Sequence, residues 1–210
     1  MLITGFAAGP GDVNCYLVAN GPGAAALVID PGDEAVATLE YFFAANGLTP
    51  AAVLLTHGHA SHAASAFDLG VAWDIPTYLH PADRCLLAEL GAEQPEMVVD
   101  VHDGDDVSVA DIVVAVDHTP GHTAGSVVFR LTADTDEGPV PVVFSGDTLL
   151  NTGLGVGDGC GGDPEQQQQQ LRSVATKLMV LDDRTVVLPG HGPSTTIGAC
   201  RRSNPKLQEI

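Results

Sequence analysis

Four times in this chain an apolar, strand-forming run ends directly in a histidine or aspartate flanked by glycine. The segments are Leu55-Thr56-His57-Gly58-His59, Thr119-Pro120-Gly121-His122-Thr123, Phe144-Ser145-Gly146-Asp147-Thr148 and Leu188-Pro189-Gly190-His191-Gly192. Residues at strand ends gather along one edge of a sheet, and a neighbouring glycine lets the backbone turn tightly and approach an ion. The fold must therefore bring four strand ends to a common edge. The first segment is the densest, with His57, His59 and His62 inside six residues. Neutral imidazole is the commonest metal ligand in proteins. With His122, Asp147 and His191 these side chains can form two sites of borderline-soft donors, suited to one or two Zn2+ ions and also to Fe or Mn. Asp147 alone would read as a turn residue, but its place in Ser-Gly-Asp-Thr puts it with the others. His80, His102 and His118 lack this context and read as ordinary polar residues, although His118 stands close enough to His122 to support it from behind.

Hydrophobic patterning places these motifs on an α/β framework. Strands are expected over 15–18, 25–29, 51–55 and 76–79, then 107–109, 112–116, 126–131, 140–144 and 186–188. Helices are expected over 33–46 with Gly47 as the stop, from Ser61 to about 71, from Pro81 onward, over 164–181 and after Ser194. Ser61 reads as an N-cap for the helix that follows it. Asp163-Pro164-Glu165 supplies a cap, a first-turn proline and an acidic first turn. The run Gln166–Gln170 reads as a polar helix face, and Gly153–Gly162 as a glycine-rich loop close to a ligand. Strands and helices alternate, yet hairpin-like strand pairs are mixed in, which favours two sheets covered by helices over one doubly wound sheet. Nothing in the composition marks a boundary, so residues 1–210 are expected to form one domain.

Charge narrows the partners. The net charge is −19, with only eight Lys and Arg together, so the surface repels nucleic-acid backbones and anionic membranes. A small-molecule substrate is expected, with the oligomeric state left open. Cys15, Cys85, Cys160 and Cys200 are too widely spaced for a metal ribbon or redox pair and read as free thiols. Met1–Phe6 lacks the features of a signal peptide, and no apolar run is long enough to span a bilayer. A cytoplasmic protein is expected.

The chain resembles the metallo-β-lactamase superfamily, and within it the glyoxalase II-like (hydroxyacylglutathione hydrolase-like) enzymes. The matching segments are Asp30-Pro31-Gly32, His57–His62, Pro120–Ser126, Ser145–Thr148 and Pro189–Gly192, in the family's order. The resemblance implies an αββα sandwich: two mixed β-sheets with helices on their outer faces and metals at one edge. It assigns His57, His59 and His122 to a first ion, His62 and His191 to a second, and Asp147 as the bridge, with Asp30 supporting the ligand loop. It implies hydrolysis of a small thioester or ester by a metal-bound hydroxide, because a divalent cation brings the pKa of water from about 15.7 to near 7.

The chain departs from the family pattern at one chemically decisive position. The family motif is His-x-His-x-Asp-His, and here Ser61 replaces the aspartate that normally binds the second ion and orients the hydroxide. One negative charge is lost, so the second ion should bind more weakly; Asp158 in the glycine-rich loop is the alternative carboxylate. Val156 stands where many relatives carry a basic residue for anionic substrates, and the residues after His191 leave no room for the helical glutathione-binding domain of glyoxalase II. Two other readings follow: a mononuclear iron oxygenase resembling persulfide dioxygenases, with His57, His122 and Asp147 as its two-His-one-carboxylate site, and a catalytically impaired metal-binding paralogue.

Overall fold

A computed structural model describes residues 1–90, 97–155, 163–204 and 207. Twelve strands form two six-stranded sheets. The first contains, in spatial order, β1 (Leu2–Ala8), β2 (Val13–Ala19), β3 (Ala25–Ile29), β4 (Thr49–Leu54), β5 (Thr77–Leu79) and β6 (Val98–Asp100). The second runs β7 (Asp106–Val109), β8 (Ile112–His118), β9 (Val127–Thr135), β10 (Gly138–Gly146), β11 (Val186–Pro189) and β12 (Thr195–Thr196). Both are mixed. In the first, β3 to β6 are parallel and β1 to β3 antiparallel; in the second, only β10 and β11 pair in parallel.

The layers follow from a period of two in strands that are apolar on both faces. Tyr16, Val18, Leu27, Ile29, Ala52 and Leu54 face Val114, Val116, Val127, Phe129, Val142 and Phe144 between the sheets. The alternate residues Cys15, Leu17, Ala26, Val28 and Val53 face outward under α1 (Ala35–Asn46) and α3 (Ala66–Trp73), through Leu39, Phe43, Ala66 and Leu69. On the other side Val128, Val143 and Val187 pack under the π-helical segment Val174–Leu178, which continues α5 (Pro164–Ser173), and under α6 (Ile197–Ser203). This is the αββα sandwich expected from the sequence. Among the described residues no helix is long and apolar enough to cross a membrane.

Two local expectations change. The helix expected from Ser61 to about 71 is broken into α2 (Ala60–Ala63) and α3, with Ser65 at the break. The Ser65 Oγ donates to the Gly32 carbonyl at 2.6 Å, and its N–H to that of Pro31 at 3.0 Å, so the break docks onto the Asp30-Pro31-Gly32 turn. Ser61 does not cap α2: the N-cap is His59, and Ser61 is the second helical residue with its side chain exposed. The cap at Asp163 forms as expected, accepting from the Glu165 N–H at 3.0 Å.

Candidate metal centre

The ends of β4, β10 and β11 and the loop after β8 meet at one edge of the sandwich, where main-chain bonds tie the sheets together. Val127 donates to the Thr56 carbonyl, Asn14 to that of Gly190, and Gly190 to that of Gly146, each at 2.8 Å. Gly146 takes φ +47° with its Cα directly against Thr56, a place a side chain could not occupy without displacing that threonine.

His57, His62, His122 and Asp147 are buried at this edge, and His59 and His191 are half-buried. Two sets of donor atoms lie within 4.8 Å of one another: His57, His59 and His122, and His57, His62 and Asp147. The histidine rings crowd closely, with centroids 4.1 Å apart for His57 and His62 and 4.7 Å for His57 and His122. His59 Nδ1 lies 3.1 Å from His122 Nε2. Asp147 sits at the centre: its Oδ2 is 3.5 Å from both His122 Nε2 and His191 Nε2, and its Oδ1 is 3.7 Å from His62 Nε2. His191 thus reaches Asp147 but falls outside both three-residue sets. Ser61 is exposed early in α2 and brings no carboxylate to either set.

The residues fit a cation. His57 Nε2, His62 Nε2 and Asp147 Oδ1 are buried and have no hydrogen-bond partner among the described residues, a costly arrangement unless something is meant to occupy the space between them. A Cβ on Gly190 would fill part of that space. Imidazole nitrogens with one shared carboxylate are a donor set for Zn2+ or Fe, not for a hard cation such as Ca2+.

The electrostatics agree. Burial pushes the His57 imidazole well below its ordinary range, and the neighbouring histidines push it further, so it stays neutral with a lone pair available. Burial also opposes charge on His62, but Asp30 and Asp147 outweigh it and raise its pKa to about 9. Burial works against ionisation of Asp147 as well, and the nearby His62 imidazole together with the other histidines overcomes it, holding the carboxyl below the usual carboxylate range.

Asp30 adopts φ +50° at the end of β3. Its Oδ2 lies 3.0 Å from His62 Nδ1 and accepts from Thr56 Oγ1 at 2.7 Å, while Oδ1 accepts from the Thr56 N–H at 2.8 Å. A carboxylate behind one ring nitrogen turns the other inward. Several residues essential to this edge carried no functional reading in the sequence. Gln170 is no solvated glutamine: it is 2% exposed and donates to the carbonyls of Asp147 at 2.9 Å and Thr148 at 3.2 Å. Tyr16 donates to the Pro189 carbonyl at 2.7 Å. Asp83 is 1% exposed and accepts hydrogen bonds from both histidine loops. His80 stacks on His118 with centroids 4.0 Å apart, and His118 Nε2 bonds the Ala124 carbonyl at 2.9 Å. Asp158 and Val156 lie outside the described residues.

A family model described as the metallo-beta-lactamase superfamily matches residues 8–191. An uncharacterized protein of Mycobacterium tuberculosis (strain H37Rv) is 48% identical over 100% of this chain and 99% of its own length. The probable metallo-hydrolase YqgX of Bacillus subtilis is 33% identical, covering 95% of this chain and 94% of that one. Hydroxyacylglutathione hydrolase GloC of Haemophilus influenzae is 31% identical, covering 92% of each. Among solved structures, the BLEG-1 B3 metallo-beta-lactamase superposes with a TM-score of 0.81 at 31% identity, over 98% of this chain and 99% of that one. TTHA1623 in a di-iron-bound form superposes with a TM-score of 0.74 at 36% identity, over 98% and 99%.

Proposed function

This chain belongs to the metallo-β-lactamase superfamily, and from that premise we propose that it is a metal-dependent hydrolase of a small thioester or ester. The observation that carries the proposal is the pair of donor sets, buried but for the half-buried His59, that share His57. His57, His59 and His122 would hold one ion. His62 and His191 would hold a second, with Asp147 between them. A bound divalent cation supplies Lewis acidity, which brings the pKa of water from about 15.7 to near 7 and favours negative charge on a carbonyl oxygen.

The side chains divide the remaining work. His57 stays neutral through burial and offers its lone pair near neutral pH. Asp30 orients His62 from behind. Asp147 is held ionised by the histidines around it, which suits an anionic ligand between two cations. His191 has a third of its side chain exposed, so the second ion would lie within reach of solvent and a small substrate. Ser61 brings no anion, so the His62 side of the centre carries one negative charge fewer than the family pattern and takes its ion second. Zinc suits the donor set, and iron is the alternative that the TTHA1623 likeness supports.

The thioester class is supported by the likeness to hydroxyacylglutathione hydrolase GloC along nearly the whole chain. A small neutral substrate suits the −19 net charge better than nucleic acid or an anionic membrane. Free thiols at Cys15, Cys85 and Cys200 suit a reducing, cytoplasmic setting. One second reading has a specific observation in its favour: His57, His62 and Asp147, with His62 in place of the His122 expected from the sequence, form a two-histidine, one-carboxylate set of the kind non-haem iron oxygenases use.

Elemental analysis of protein purified without chelator, paired with thiol release from short S-acyl thioesters, tests the proposal. One or two zinc ions per chain with thiol release supports it. One iron with oxygen consumption on a persulfide replaces it with the oxygenase reading. Protein that takes up no metal even when Zn2+ or Fe2+ is supplied overturns both in favour of a non-catalytic paralogue.

A further inference from the structure

We propose that Asp83 is a positioning residue: its buried carboxylate clamps the His57–His59 loop to the His122 loop and sets the geometry of that metal site. The inference rests on the metal-binding reading above. Asp83 closes the 3-10 turn Pro81–Asp83, between β5 and α4 (Arg84–Glu89). Its Oδ2 accepts from the Gly58 N–H at 2.9 Å and from Thr123 Oγ1 at 2.7 Å, and its Oδ1 accepts from the Gly125 N–H at 2.7 Å. Gly58 lies between His57 and His59, and Thr123 follows His122. One carboxylate therefore joins the two loops, from different sheets, that hold His59 Nδ1 and His122 Nε2 3.1 Å apart.

Burying a carboxylate is costly unless donors satisfy it, and here three charge-assisted bonds do so. The cation next in sequence does not neutralise it: Arg84 turns instead to Asp100 and the Val98 carbonyl. The surroundings are cut to fit. A Cβ on Gly125 would lie 2.6 Å from Asp83 Cγ, and one on Gly58 would lie 3.1 Å from Asp83 Cβ and 2.8 Å from its carbonyl oxygen. The same turn braces the second loop again at its other end, where His80 stacks on His118 and His118 bonds Ala124.

Asp30 stands in the corresponding relation to the other donor set, through Thr56 and His62. Each half of the centre has its own buried carboxylate, so the halves can be perturbed separately. Groups that hold a ligand from behind change metal affinity about ten- to a hundredfold when removed.

The test is Co2+ affinity of the metal-free chain by chelator competition, with the visible Co2+ spectrum recorded well below each variant's melting temperature. Asp83→Asn keeps the shape but presents an NH2 to groups that are themselves donors. It should weaken the tightest Co2+ step ten- to a hundredfold and alter its spectrum. Val143→Ala, in the packing layer under Val174–Leu178 and α6, should lower the melting temperature and leave both unchanged. Thr123→Val removes one donor and keeps the shape; it should shift the affinity in the same direction by less, and it serves if Asp83→Asn does not fold. Wild-type affinity and spectrum in either clamp variant overturns the proposal, leaving Asp83 a stabilising residue only. A wild-type chain that takes up no Co2+ overturns the metal reading itself, a different and separately visible failure.

Discussion

Replacing Gly190 by alanine tests the metal centre by steric means without removing any donor atom. Gly190 directly follows β11 and has no positive φ, so alanine is admissible there as backbone. Its new methyl group, however, would lie 2.6 Å from His62 Cε1 and closer still to Asp147 Oδ1. Ordinary contact begins at 3.4 Å, so His62 or the loop must give by about 0.8 Å. Metal–ligand distances tolerate roughly 0.2 Å, so the displacement is about four times what the His62–Asp147 side can absorb. Overpacking of this kind costs about 1–3 kcal/mol, a drop in melting temperature of about 2–12 °C for a chain of this size. Metal binding should suffer far more: the ion on the His62 side should bind at least a hundredfold more weakly in Zn2+ titration calorimetry. Gly153→Ala, whose Cβ meets nothing within 4 Å, is the control and should match wild type. If Gly190→Ala binds metal as the wild type does while remaining folded, His62 and Asp147 do not define a metal site and the reasoning fails.

Ser61→Asp restores the missing carboxylate at an exposed position early in α2; it should raise both metal content and thioester turnover, and no rise in either would mean that the serine is not what limits the centre. In the metal-free protein His62 titrates near 9 against 6.5 when unfolded, so its proton favours the folded chain below pH 6.5. That contribution, roughly 3 kcal/mol, should fade between about pH 6.5 and 9 in urea unfolding of the apo chain, whereas His57, kept neutral by burial, erodes stability only below about 6.5. Gln170→Ala strips the buried Thr148 carbonyl of its donor and leaves the Asp147 carbonyl only the Gly155 N–H; it should cost about 1–3 kcal/mol by denaturant unfolding, while Gln169→Ala, exposed one residue earlier, should stay within about 0.5 kcal/mol.

What the sequence disclosed and what it hid divide along a physical line. The inner strands were legible because both of their faces are buried, which leaves an unbroken apolar run such as Ala51–Leu55. β1 was not, because its sequence Leu2–Ala8 is interrupted by Gly5, against which the Tyr16 ring packs; a Cβ there would meet that ring at 2.6 Å. The histidine motifs were legible because a metal site concentrates rare residue types at strand ends. Ser61 suggested a cap because helix starts favour serine, but the docking of Ser65 on Gly32 decides where that helix breaks, and this contact spans 33 residues. Gln170 looked solvated among four other glutamines, because nothing local records that one of the five faces Asp147. Asp83 is the clearest case. Its partners are two backbone N–H groups and one hydroxyl from distant loops, and none of these leaves a pattern around residue 83 itself. Its trace lies at the other end of the contacts, in Gly58 and Gly125. Gly58, between two histidines, reads as room for an ion, yet it and Gly125 both clear the path of a carboxylate. A glycine in a ligand loop therefore poses two questions, what the backbone approaches and what approaches the backbone, and only the packed fold answers the second.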